Sequence, residues 1–247
     1  VEPVRDIERS ASRGPQYGRA VAIEGDFAAI GVPFFCGHVI DGGAVDIRKR
    51  EGNQWNAYAT LRASDERVGL TFGVGLDMTE RFIAAVAWGF ADDDSESIYI
   101  FRREGEPKSP TWIEEAILRP SVRVFDGELK DFPIAIDGNT LVVGAPTQSL
   151  RDGVPAEYST GSVFVFNRDD DGNWSETGVI RPDFLEEGDH FGMSVDLQGD
   201  ALVIGAPGRD EAFIFERTKD SWVLSDTLET TSDESKHHFG ISVAIEG

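Results

Sequence analysis

The chain of 247 residues carries a single cysteine, Cys36. One cysteine excludes an internal disulfide framework and any zinc site built from several cysteines. Lysine is scarce, and most of the basic residues are arginine. Positive charge is short overall: 23 Lys and Arg face 45 Asp and Glu, for a formal charge of −22. Surfaces that hold duplex DNA or anionic membranes are built from basic patches, so this balance argues against both. Acidity with little lysine suits a salty, extracellular or halophilic setting. No apolar run approaches the ~20 residues of a membrane-spanning helix, so no membrane insertion is expected. There is no initiator Met and no signal peptide, so the expectation is a mature or cut piece of a longer chain. The sequence also lacks a GxSxG nucleophile elbow, an HExxH pair and a GxxxxGK[ST] phosphate loop. What it does have is 40% hydrophobic residues, with 16 Phe and 5 Trp, enough for a packed core rather than a disordered chain.

A repeat organises those residues. Trp55, Trp112, Trp174 and Trp222 head the segments WNAYATL, WIEEAIL, WSETGVI and WVLSDTL. Upstream of each lies an aromatic anchor: YGRAVAI from Tyr17, FGVGLDM from Phe72, FPIAID from Phe132 and FGMSVDL from Phe191. A fifth copy, FGISVAI, starts at Phe239. Between anchor and Trp sit two further apolar runs. The first is FAAIGVP (27–33), FIAAVAWG (82–89), LVVGAP (141–146) and LVIGAP (202–207). The second is GAVDIRKR (43–50), SIYIFRR (97–103), GSVFVFNR (161–168) and EAFIFER (211–217). Gly, Asp, Asn or Pro bound these Val-, Ile- and Phe-rich runs, which is the signature of strands and turns, and no helical period of useful length is present. Four strands in a repeat of about 50 residues predict an all-β fold, a β-propeller of four-stranded antiparallel blades.

A single propeller region over 1–247 is expected, with blades at 16–61, 72–118, 132–180 and 191–228 and partial strands at 4–10 and 239–245. The anchor strand should be innermost. The second strand, apolar on successive residues, should be buried on both faces, and the half-polar Trp strand should be outermost. Tight turns at 24–26, 79–81, 137–139 and 198–200 join the first two strands. Longer connections at 34–42, 90–96, 147–160, 62–71, 119–131, 181–190 and 229–238 leave the opposite end of the blades. Variable loops on a rigid scaffold are where function concentrates.

These motifs resemble the FG-GAP repeat family, the repeat of the integrin α-subunit propeller. The match is best at 191–217, which carries Phe-Gly and Gly-Ala-Pro in order. The third repeat keeps Gly-Ala-Pro at 144–146 but has Phe132-Pro133 for the first element. The first has Tyr17-Gly18 and Gly31-Val32-Pro33, and the second has Phe72-Gly73 but Ala87-Trp88-Gly89. The resemblance implies a seven-bladed ring in an extracellular or cell-surface protein.

Calcium is the cofactor the resemblance raises, through a DxDxDG loop between first and second strands. Here those turns are too short to wrap a cation that needs six or more oxygens, so the family site is not carried over. Two other oxygen-rich segments remain open for calcium. Asn167, Asp169 and Asp171, followed by Gly172, alternate in the third blade's last hairpin, where a plain polar turn is the simpler reading. Asp92, Asp93, Asp94 and Glu96 cluster in a long loop, where a solvated acidic loop is the simpler reading. His38, His190, His237 and His238 are too dispersed for a zinc site. Cys36 and His38 lack an orienting third group for nucleophilic catalysis. Asn173-Trp174-Ser175 is a formal glycosylation sequon that overlaps the blade Trp. Trp88 breaks the Trp pattern and is the Trp to consider for a ligand, and Phe90, Asp92, Asp94 and His38 are the other ligand candidates. No catalytic residue is expected. The sequence therefore predicts a non-catalytic binding or assembly module of an extracellular or cell-surface protein, engaging a protein or glycan through the long loops, with no nucleic-acid role. The alternative is a targeting propeller within a larger surface enzyme such as a hydrolase. Apolar Ile241, Val243 and Ile245 on an unpaired end strand predict placement in a larger chain or assembly.

Overall fold

The computed structural model describes residues 16–36, 39–89, 96–121, 133–147, 159–219, 221–230 and 238–246. These residues form sixteen strands and no helix. The chain divides into two compact units, Val1–Arg119 and Pro120–Gly247, and each holds two blades. In the first unit one sheet is β1 (Val21–Glu24), β2 (Phe27–Val32), β3 (Ala44–Glu51) and β4 (Gln54–Leu61). The other is β5 (Gly75–Met78), β6 (Phe82–Ala87), β7 (Ser97–Glu106) and β8 (Ser109–Leu118). The second unit holds β9 (Ile134–Asp137), β10 (Thr140–Gly144), β11 (Val163–Arg168) and β12 (Trp174–Ile180), then β13 (Ser194–Gln198), β14 (Ala201–Ala206), β15 (Glu211–Arg217) and β16 (Trp222–Glu229). Every sheet is antiparallel with its strands in chain order, which is the blade of a β-propeller. No helix among the described residues is long and apolar enough to cross a membrane.

Composition sets the burial. β6 and β10, runs of Ala, Val, Ile and Leu, are buried at every position, whereas β16, with Asp, Ser, Thr and Glu between its apolar residues, is mostly exposed. Within each unit the second blade's first strand lies beside the first blade's: β5 beside β1, and β13 beside β9. A hydrophobic core fills the space between. In the first unit Phe72, Tyr99 and Phe101 are its centre; in the second Phe191, Phe213 and Phe215 take the same places.

The Phe-Gly and Gly-Ala-Pro elements meet across that joint. At Gly31 a Cβ would overlap the carbonyl oxygen of Gly73 from the next blade, and at Gly144 it would overlap the carbonyl of Gly192. Only a residue without a side chain permits this approach. The Phe amides that precede those glycines are also tied to the previous blade. Phe72 donates to the Gly42 carbonyl at 3.2 Å and Phe191 to that of Thr160 at 2.9 Å.

Two further regularities run through all four blades. The third strand carries an arginine, Arg50, Arg103, Arg168 or Arg217, each directly opposite the blade tryptophan, Trp55, Trp112, Trp174 or Trp222. Each arginine's amide donates to a carbonyl of its own blade's first turn, at 2.8–2.9 Å: those of Asp26, Arg81, Asn139 and Asp200. The last strand then carries a β-bulge, with the extra residue three places after the tryptophan: Tyr58, Glu115, Thr177 or Ser225.

The four tryptophans share one register but not one environment. Trp112 and Trp174 are 9% exposed, Trp222 is half-buried and Trp55 is 39% exposed. Trp112 has the first blade to pack on, while no described blade precedes Trp55. Residues 239–245, expected as a strand, form none: the segment lies against the fourth blade without a ladder. The Ser194 hydroxyl donates to the Gly240 carbonyl at 2.8 Å and the Ile245 amide to Asp196 at 2.8 Å. A strand needs a partner, and no described segment pairs with this one. Segment 4–10 lies outside the described residues.

Candidate functional site

The outer part of each unit contains the same three-way junction, built from equivalent positions on two successive blades. In the first unit Phe27 opens β2, Tyr58 is the bulge residue of β4, and Trp112 comes from β8. Their rings interlock edge to face: Phe27 to Tyr58 at 5.3 Å, Phe27 to Trp112 at 5.2 Å and Tyr58 to Trp112 at 6.1 Å. The Tyr58 hydroxyl donates to the Pro110 carbonyl at 2.7 Å, and the Arg103 guanidinium lies 5.0 Å from the centre of the Phe27 ring. Below, the amide and hydroxyl of Ser64 donate to Glu114 of the neighbouring blade at 2.9 and 2.5 Å. The joint is closed.

In the second unit the register puts Thr140 where Phe27 stands, Thr177 where Tyr58 stands, and Trp222 and Arg217 where Trp112 and Arg103 stand. Asp183 and Leu224 fall at the positions of Ser64 and Glu114 and cannot repeat that pair. Two large rings are replaced by hydroxyls, and a crevice of about 550 Å³ opens between the third and fourth blades. Its floor is a polar network. Thr140 donates to Asn167 Oδ1 at 3.0 Å, and Arg217 donates to the Thr140 hydroxyl and, at 3.4 Å, to Asn167 Oδ1. Asn167 Nδ2 donates to the Thr177 hydroxyl at 2.5 Å. The Arg217 guanidinium sits 4.8 Å from the Trp222 ring centre, and Asp200 approaches its Nε at 3.6 Å from the solvent side. Arg181 and Lys219 complete the cationic lining. Burial lowers the Arg181 pKa, which still leaves an arginine charged at neutral pH.

Among the described residues, Asn167 is the candidate ligand named from the sequence that lines this crevice, beside the repeat tryptophan Trp222. Its amide serves the strand network, while Asp169 turns into the hairpin and accepts from the Asn173 amide at 2.7 Å. Those hydrogen bonds hold the Asp169 pKa below its ordinary value. Asn167 and Asp169 are thus engaged in different places, the first in the strand network beside Thr140 and the second within the hairpin. Among the described residues no group of three or more His, Cys, Asp or Glu could hold a metal ion. Trp88 is half-buried, and its carbonyl accepts from the buried Thr71 hydroxyl; Glu96 is half-buried just before β7. His38, Phe90, Asp92, Asp93 and Asp94 lie outside the described residues. Cys36 is engaged locally, its Sγ 3.6 Å from Asp41 Oδ1 and accepting from the Asp41 amide at 3.5 Å.

At the other end of the blades two acid-centred networks fix the connections. Tyr17 donates to Asp46 at 2.6 Å, and Arg48 pairs with the same carboxylate at 2.6 Å. Burial, and then the Asp46 carboxylate, push the Tyr17 phenol up to about 12. In the fourth blade Arg209 bridges Asp189 at 3.3 Å and Glu211 at 2.9 Å. Burial raises the Asp189 pKa against the opposing effect of the Glu186 amide and Arg209.

The class of protein these sheets define is a β-propeller. A protein of propeller fold from Lactobacillus plantarum superposes with a TM-score of 0.56 at 12% identity, over 92% of this chain and 62% of its own. This chain thus spans less than two thirds of that protein's length. The FG-GAP repeat model matches residues 174–216, from the third blade's Trp174 into β15. No curated protein matches the sequence. FG-GAP repeats suggest a binding or structural module, and they occur in extracellular or surface proteins. The sequence reading missed the crevice. Its signal was present in the repeat alignment, as the loss of two aromatics at positions that only the strand register brings together.

Proposed function

We propose that this propeller is a non-catalytic binding module of an extracellular or cell-surface protein, and that it engages a protein or glycan through the blade ends that carry the long connections. One observation carries the reading: the two ends of the blades are built differently. Residues 25–26, 79–81, 138–139 and 199–200 close the first hairpins, whereas 33–43, 88–96 and 145–162 join second to third strands at the opposite end. The short turns leave little room for recognition, and variable connections between the strands of a rigid sheet are where binding concentrates. Shortening the loop within 148–158, which keeps Thr160 and Ser162, tests this on a glycan array and a panel of extracellular proteins. Loss of the captured partner is expected with unchanged circular dichroism. Retention of every partner by this variant and by a matching 88–96 variant overturns the reading, and turnover of any glycoside or ester substrate overturns the non-catalytic part.

The module is also proposed to work within a larger assembly, supported by Val21 and Ile23 on β1 and Ile241 beyond β13, all more than 60% exposed. A monodisperse monomer by sedimentation would count against it.

A further inference from the structure

We propose that the crevice between the third and fourth blades is a binding site for an acidic saccharide, a sugar whose ring carries a carboxylate, as in a uronic acid. The site is separate from the long connections and does not rest on the reading above.

Size and location come first. A volume of about 550 Å³ is in the range of roughly 300–1,000 Å³ typical of small-molecule sites. The equivalent joint in the first unit is filled by Phe27 and Tyr58, so the opening is not a general property of these blades. Charge selects the ligand next. In a chain of net charge −22 the crevice is lined by Arg181, Arg217 and Lys219. A guanidinium presents a planar fork that fits a carboxylate. Arg217 is held in place for it, by Thr140 and Asn167 on one side and the Trp222 ring on the other. Asp200, the acid nearest to Arg217, is a largely exposed side chain and leaves the inner guanidinium edge to the crevice network.

The remaining lining separates a sugar from a simple anion. Thr177, Thr218 and Ser221 bring hydroxyls to the crevice, and Asn167 brings an amide. These are groups that both donate and accept, as ring hydroxyls require. Trp222 and Leu224 provide apolar surface for the C–H face of the ring. An acidic peptide would also satisfy the cations and some of these hydroxyls, but the combination of dispersed hydroxyls with the flat Trp222 surface matches a sugar ring better.

Calorimetric titration of the full chain with galacturonate, a galacturonate trimer, the neutral galactose trimer and a short Asp/Glu peptide tests the proposal. The galacturonate trimer should bind about ten-fold more tightly than its neutral counterpart, and its affinity should fall as salt rises. The monomer arm distinguishes a free acidic sugar from a polysaccharide segment. Thr177→Tyr rebuilds the first unit's plug and should abolish binding while the melting temperature holds or rises. Lys219→Gln, on an exposed hairpin, should weaken binding about five-fold with the fold intact, which keeps the test decisive if the tyrosine variant fails to fold. Equal affinity for neutral and acidic trimers, no binding by the wild-type chain, binding undiminished in both variants, or binding of the peptide alone overturns it. Variants shortened within 148–158 should keep galacturonate binding, which separates this site from the long-connection reading.

Discussion

The two blade pairs of this propeller share strand order, register, the arginine opposite each tryptophan and the bulge after it, yet their outer joints are opposites. In the first pair three aromatic rings and a Ser–Glu clasp seal the blades together. In the second, threonines and an asparagine hold an arginine at the edge of an open crevice. The inner joint is the same in both, because it depends on a backbone approach that tolerates no side chain. The difference teaches that stability and recognition are carried by different radii of the blade. The inner strands supply the invariant packing, and the outer strands are free to be filled or opened.

The comparison is broken most severely from the inside. Gly31→Val and Gly144→Val each place a side chain where the next blade's carbonyl lies, and each should cost about 3 kcal/mol or more in urea unfolding. If either is tolerated, the inner joint is not the shared element it is taken for. Next come the outer joints, which should respond unequally. Trp112→Ala should cost about 3–5 kcal/mol because the ring is buried against Phe27 and Tyr58. Trp222→Ala, at the open crevice, should cost roughly 1–2 kcal/mol. Equal losses would mean that the crevice does not weaken the packing of its tryptophan. At the bulge, Tyr58→Ala should cost about 3 kcal/mol and Thr177→Ala under about 1 kcal/mol.

The smallest effect is a pH effect. The Tyr17 phenol is raised from about 10 to about 12, so the folded state holds its proton more tightly than the unfolded chain does. The contribution is therefore complete below pH ~10 and is lost as pH rises toward ~12. With the residue 44% exposed, solvent screening keeps it under about 1 kcal/mol. Removal of the partner in Asp46→Asn should lower the midpoint of tyrosinate absorbance assigned to Tyr17. An unchanged midpoint would show that the carboxylate does not reach the phenol.

Much of the fold was legible because its signals are local. Runs such as LVIGAP and turns such as Asp-Gly-Asn announce strands and hairpins by composition, and their recurrence counts the blades. The bulge was not legible: Tyr58, Glu115, Thr177 and Ser225 have no chemistry in common, so nothing at one position betrays it. The crevice was not legible either, since it arises from what two blades jointly lack. At Asn167 the alternate oxygens suggested one ligand set, and the separate hydrogen bonds of its members were not legible from spacing. Asn167 is in a strand, opposite Thr140, and Asp169 is already in the turn. The end segment at 239–245 has the composition of a strand but no pairing partner among the described residues, and composition alone makes no ladder.

The bulge has a consequence for how such a chain changes over time. Its extra residue sits outside the pairing register, so replacing it disturbs no rung of the sheet, yet in both units it stands at the joint with the next blade. That makes it a place where mutation leaves the blade's own ladder intact and acts on the joint between blades. A tyrosine there locks one joint and a threonine unlocks another, so descendants of one repeat could acquire or lose a pocket at each junction separately, one substitution at a time, while the ancestral scaffold stays intact.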